Sequence, residues 1–167
     1  MPVETERILT EICARYKKIR SGLAIGFSDN TVENYLREAR GGIWISTPQE
    51  DELPFENDQF EVVVVDTKAV SRAMVHEVNR ILIYGGCMFF AVNETSGSTP
   101  GYNAPEIYKL VREGFDILSV KKPNWWYFGL KGTAFTVCAR KKAWREHKGF
   151  LHDGVHLFEP FVARTRK

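Results

Sequence analysis

The sequence predicts an α/β fold built on a mostly parallel sheet of about six strands with an antiparallel edge. Three observations carry this. Short apolar runs alternate with amphipathic stretches along most of the 167 residues. Glycine-containing breaks at Ser21-Gly22, Gly41-Gly42 and Gly85-Gly86 divide them. The run Phe60–Val65 is apolar almost throughout rather than alternating, which suits a strand covered on both faces.

Residues 3–19 read as an amphipathic helix, with Ile8, Ile12, Ala14, Tyr16 and Ile19 at roughly helical spacing between charges. Ser21-Gly22 stops it, and residues 23–27 form the first strand. Ser28-Asp29-Asn30 is a turn able to cap a helix over Thr31–Arg40, whose inner face is Val32, Tyr35, Leu36 and Ala39. Residues 43–46 are the second strand, and an acidic turn over 48–58 leads to the central strand Phe60–Val65. A helix over 70–82 turns Val70, Met74, Val78, Ile81 and Leu82 inward, and Gly85-Gly86 ends it before a strand at 87–92. A Thr, Ser, Gly and Pro loop at 93–103 precedes a helix at 105–113 that carries its proline near the start. Residues 115–120 and 133–139 are the last two strands, and the tail from Lys141 is basic and aromatic by turns.

Composition narrows the function classes. Aromatic residues are 13% of the chain, too many for a disordered one. A net charge of +2 is too mild to mark a nucleic-acid binder. The three cysteines, Cys13, Cys87 and Cys138, have no metal-like spacing and fit free thiols in a reducing, cytoplasmic setting. No apolar run approaches the ~20 residues that cross a bilayer, and the N-terminus has no signal-peptide pattern. One domain over residues 1–167, with no membrane span and no metal site, is the expectation.

The stretch Leu53-Pro54-Phe55-Glu56-Asn57-Asp58-Gln59-Phe60-Glu61-Val62-Val63-Val64, followed by His76-Glu77-Val78-Asn79-Arg80-Ile81-Leu82 and Gly85-Gly86, is distinctive. It resembles the central part of the class I S-adenosylmethionine-dependent methyltransferases of the type-11-like branch, in order and spacing, over about forty residues. The resemblance implies a Rossmann-like methyltransferase fold with S-adenosylmethionine as cofactor, bound at the carboxyl ends of the strands. It places the cleft where residues 26–30, 47–51 and 66–68 converge. Gly26, Ser28, Asp29, Thr47, Gln49 and Asp66 are then the cofactor-binding candidates, and Asp66 is the catalytic candidate, as a base or as a substrate-orienting group.

Two departures bear on function. The family's glycine-rich loop after the first strand keeps only Gly26; Ala24 stands at its acidic position, and Ser28 and Asn30 replace glycines. A strand-helix unit before Leu53 is missing. If residues 43–46 match the family's earlier strand, Ser46 or Thr47 stands where a ribose-gripping acid belongs. If they match the later one, Gln49 falls at the adenine-contacting position. Two readings follow: an active methyltransferase of unknown substrate with a trimmed site, or a catalytically inactive methyltransferase-like binding or scaffolding protein.

Other constellations favour plainer explanations. His76 reads as a solvent-facing or capping residue, and Glu77 with Arg80 as a surface pair at i, i+3. His147, His152, Asp153 and His156 match no closed zinc motif. The run Pro123-Asn124-Trp125-Trp126-Tyr127-Phe128 reads first as packing and second as an interface, through Trp125 and Trp126, for a second copy or a protein partner. The basic, aromatic tail reads first as a solvated edge with a frayed end, with RNA contact as a minority reading.

Overall fold

A computed structural model describes residues 2–95, 101–122 and 134–142. In chain order the elements are α1 (Val3–Arg15), β1 (Ser21–Ile25), α2 (Thr31–Arg40), β2 (Ile43–Thr47), β3 (Phe60–Val65), a 3-10 turn (Thr67–Ala69), α3 (Arg72–Ile81), β4 (Leu82–Asn93), α4 (Ala104–Val111), β5 (Phe115–Lys121) and β6 (Ala134–Lys141). They build one six-stranded sheet in the order β2-β1-β3-β4-β6-β5. The pairs β2–β1, β1–β3 and β3–β4 are parallel, and β6 runs antiparallel to both β4 and β5. Phe60–Val65 is therefore central, flanked by β1 and β4 as the sequence predicts.

The near-continuous apolarity of β3 follows from two covered faces. Val62 and Val64 pack with Ile8, Leu9 and Ile12 of α1 and with Val32 and Leu36 of α2. Val63 and Val65 pack with Met74, Val75, Val78 and Ile81 of α3 and with Ile107 and Val111 of α4. Burying each such side chain contributes about 1.5–3 kcal/mol, so the two layers hold the strand ends that frame the cleft. Helix α4 starts on a capping box, in which Asn103 accepts from the Glu106 N–H and Glu106 accepts from the Asn103 N–H.

Three boundaries differ from the sequence reading, each for a packing reason. Helix α1 ends at Arg15, four residues early, because Tyr16 turns extended and sets its ring edge-on to Phe89 at 6.4 Å. Ser21-Gly22 lies inside β1 rather than stopping a helix. The Trp44 indole covers Gly22 so closely that a Cβ there would stand 2.5 Å from the ring. Gly85-Gly86 lies inside β4, not before it. The register slips between Phe60/Leu82 and Val62/Cys87, and Gly85, at φ 81°, takes up the bulge.

Two buried charges, which periodicity does not reveal, fasten the sheet. Glu11 of α1 accepts from Arg15, Ser119 and Lys121, so the helix is tied to β5. Burial pushes the Glu11 carboxyl up, but its bonds to Lys121 and Arg15 outweigh this and hold it below the usual carboxylate range. Lys141 is 6% exposed, against the expectation of a solvated basic tail. It donates to the Leu82 carbonyl (2.6 Å) and Asp58 Oδ1 (2.7 Å) and lies 4.5 Å from the centre of the Tyr84 ring.

Cys13, Cys87 and Cys138 are free thiols. Among the described residues no helix is long and apolar enough to cross a membrane. The Trp125/Trp126 run, the four-residue His147 to His156 cluster and the basic tail beyond residue 142 lie outside the described residues.

Candidate functional site

The site forms where β1 and β3 end side by side, with Ile25 opposite Val65. The chain leaves both strands under hydrogen-bond control. The Gly26 N–H donates to the Thr47 carbonyl (2.9 Å), and the Asp66 N–H donates to the Ile25 carbonyl (2.9 Å). Gly26 has φ 81°, a left-handed conformation that glycine takes at little cost. A Cβ on Gly26 would lie 2.8 Å from the Ala69 Cβ, 3.5 Å from the Asp66 Cβ and 4.0 Å from the Gln49 Cβ. The segments after β1, β2 and β3 thus meet at Gly26.

Above this junction lies a cavity of about 270 Å³. Gly26, Phe27, Ser28 and Asp29 line one side, and Asp66 and Lys68 another. Thr31 and Val32 of α2 close it laterally, and Pro2 and Thr5 stand at the start of α1. Ser28 is exposed at the rim, and Asn30, also exposed, is not part of the lining. Neither substitution of the glycine-rich loop therefore fills the space.

Asp29 serves the fold as well as the cavity. Its Oδ1 accepts from the Thr31 N–H at 2.9 Å, and hydrogen bonding at Thr31 holds the carboxyl below the usual range. Asn30, the residue at the helix cap position, makes no side-chain capping bond. Asp66 is half-buried and precedes the 3-10 turn without capping it through its side chain. Among the described residues its carboxylate has no hydrogen-bond or ion-pair partner. That leaves it available to a ligand. Thr47 meets the site through its main chain, and Gln49, exposed, stands beside Gly26 rather than in the lining.

Sequence reasoning missed the contribution of α1. Thr5 is buried on the face that also carries Ile8, Leu9 and Ile12, a spacing that marks the buried face but not the cavity. His76 lies away from the cavity, exposed on α3 and 3.8 Å from Glu113.

Glu77 and Arg80 form the expected i, i+3 pair at 2.8 Å, but they are not a mere surface pair. Arg80 also donates to the carbonyls of Leu53 (3.0 Å) and Phe55 (2.7 Å) and to Asn57 Oδ1 (3.1 Å). Glu77 accepts from the Leu53 N–H at 3.1 Å. The pair clamps the Leu53-Pro54-Phe55 loop that feeds the central strand. The bond from Arg80 holds the Glu77 carboxyl below the usual range.

No family model matches the chain, and no curated protein matches it in sequence. Solved structures do match in fold. A Burkholderia thailandensis 1,6-didemethyltoxoflavin-N1-methyltransferase, solved with its namesake compound and S-adenosylhomocysteine, is 15% identical with a TM-score of 0.66, over 84% of this chain and 79% of that one. A SAM-dependent methyltransferase from Aquifex aeolicus is 11% identical with a TM-score of 0.62, over 82% of this chain and 89% of that one. A Haloferax volcanii protein solved in complex with a methyltransferase activator is 14% identical with a TM-score of 0.61, over 81% of this chain and 89% of that one. With its strand order, its antiparallel edge and its cleft at the carboxyl ends of β1 and β3, this chain has the class I S-adenosylmethionine-dependent methyltransferase fold.

Proposed function

We propose that this chain is an S-adenosylmethionine-dependent methyltransferase acting in the cytoplasm. The observation that carries the reading is the open cavity of about 270 Å³ over Gly26, between the ends of β1 and β3. It is close to the lower bound of about 300 Å³ for small-molecule sites. The residues present fit the cofactor at this end. Gly26 brings the main chain to the cavity at a place where a Cβ would press on Ala69, and Ser28, Asp29 and Asp66 offer polar groups around the space. Gln49 offers a side-chain oxygen nearby that can accept from an adenine amine. Among the described residues no acidic side chain from the end of β2 lines the cavity, so the ribose would be held by fewer bonds.

S-adenosylmethionine, when bound, supplies an activated methyl group. The chain's part is alignment more than acid–base work. Asp66, free of protein partners among the described residues, accepts a hydrogen bond from an N–H or O–H of the methyl acceptor and turns its lone pair into the cavity. Val32, with Pro2 and Thr5 at the start of α1, lines the rest of the cavity.

Calorimetric titration with S-adenosylmethionine and S-adenosylhomocysteine tests the reading, with micromolar affinity as the expected result. Asp66→Ala, which also removes one of the polar groups around the cofactor's space, should weaken binding about tenfold, the effect of losing one hydrogen bond to a charged group. His76→Ala, outside the cavity, should leave it unchanged. No heat from either ligand at millimolar concentration overturns the reading and leaves the fold as a binding module.

A further inference from the structure

Taking the cavity over Gly26 as the site of methyl transfer, we infer that the acceptor is an amino or hydroxy acid whose carboxylate is held by the Lys68 ammonium and the Thr5 hydroxyl.

Thr5 is 5% exposed and lines the cavity. A hydroxyl on so buried a residue ordinarily bonds to the protein. That of Thr5 has no such partner among the described residues. Nor is its oxygen sealed in, since Arg7 Nη1 and Arg40 Nε are the buried side-chain polar atoms without a partner among the described residues. With the rest of the side chain buried, the hydroxyl opens to the cavity.

Lys68 lies in the 3-10 turn after β3, two residues beyond Asp66, and lines the same cavity. Among the described residues it forms no ion pair, although Asp29 and Asp66 line the space with it. Its ammonium keeps all three donors for a ligand. Two helix starts add to the field there. Pro2 and Thr5 begin α1, Thr31 and Val32 begin α2, and neither helix is capped by a side-chain bond from Pro2 or Asn30. Helix N-termini favour anions. The acidic residues of those first turns, Glu4, Glu6 and Glu33, do not line the cavity, and Glu33 is engaged by Arg37 and Ser46.

Charge selects the kind of acid. One lysine faces two aspartates in the lining, and of these Asp29 is already bonded to the Thr31 N–H. A carboxylate brings a single negative charge to Lys68, whereas a phosphate ester brings up to two and meets more repulsion. Distance selects the size. The Cα atoms of residues 66 and 68 can be no more than about 7 Å apart. One small molecule can therefore set an N–H or O–H on Asp66 and its carboxylate on Lys68.

Acetate tests this without knowledge of the full acceptor. Backbone amide resonances are followed while acetate is added to the chain saturated with S-adenosylhomocysteine, with acetamide as the neutral control. Acetate should shift Thr5 and Lys68 together, with one affinity, and acetamide should not. Lys68→Met should weaken acetate about tenfold, while Lys68→Arg, which keeps the charge, should retain it. Thr5→Val, of nearly the same size, should weaken it severalfold. Acetate that leaves Thr5 and Lys68 unmoved, or that Lys68→Met does not weaken, overturns the proposal. Acetate that binds only when S-adenosylhomocysteine is absent overturns it too, by giving the two residues to the cofactor's own carboxylate. So does inorganic phosphate binding more tightly than acetate. Failure of S-adenosylhomocysteine to bind overturns the methyltransferase reading beneath, whereas failure of acetate alone overturns only the acidic acceptor.

Discussion

Gly26→Val is expected to abolish detectable cofactor binding, by about a hundredfold or more in affinity, and to lower stability by about 2–3 kcal/mol. Two independent facts set the size. The residue sits at φ 81°, where a β-branched side chain is strained. Its Cβ would press to 2.8 Å from the Ala69 Cβ, so the loop that lines the proposed site would have to shift. The Thr47–Gly26 and Asp66–Ile25 main-chain bonds hold the two strand ends together, so the backbone has little room to yield. Calorimetry for affinity and urea denaturation for stability read the two effects separately. Gly26→Ala keeps the unfavourable backbone but adds less volume, so binding should fall between glycine and valine. If Gly26→Val binds S-adenosylhomocysteine as the unmodified chain does, the cofactor does not sit over Gly26.

Arg80→Ala is expected to cost about 2–3 kcal/mol at neutral pH, although Arg80 touches no part of the cavity. Its guanidinium satisfies the Leu53 and Phe55 carbonyls, Asn57 and Glu77 at once. Alanine would leave the loop before β3 unpinned and the Glu77 carboxylate part-buried without its cation. The pH dependence has a definite sign. The Glu77 carboxyl is held below its ordinary value by Arg80. Its contribution is therefore fully present above the unfolded carboxylate range, about pH 4.3. It is lost as pH falls through the lower folded value. Urea midpoints of the two proteins should differ clearly at pH 7 and draw together below about pH 4. A constant difference down to acid pH would show that Arg80 acts through its loop contacts alone.

The order of elements was readable because apolar period and glycine breaks survive in the chain. Val62 to Val65 announced a strand between two helical layers, and the structure supplies α1 and α2 on one face and α3 and α4 on the other. What failed was local meaning. Gly22 looks like a helix stop, but it lies in β1 to make room for the Trp44 ring, a contact with a residue far along the chain. Gly85 looks like a turn and is a bulge inside β4. Lys141 looks like the start of a solvated tail and is instead buried on Asp58 and the Leu82 carbonyl. Such roles depend on partners distant in sequence, which neither spacing nor composition encodes. At the cleft, Gly26, Ser28, Asp29 and Asp66 were legible as strand-end residues, and the structure gathers them around one cavity. Thr5 was not, because nothing in its own helix points to the loop after β1.

The most direct test is to follow the backbone amide resonances while S-adenosylhomocysteine is added. Binding over Gly26 should shift the amides of Gly26, Ser28, Asp29 and Asp66 together, with one common affinity, and leave His76 and Glu113 unmoved. Absence of shifts at Gly26 and Asp66 under saturating ligand, or shifts confined to another part of the chain, would contradict the account.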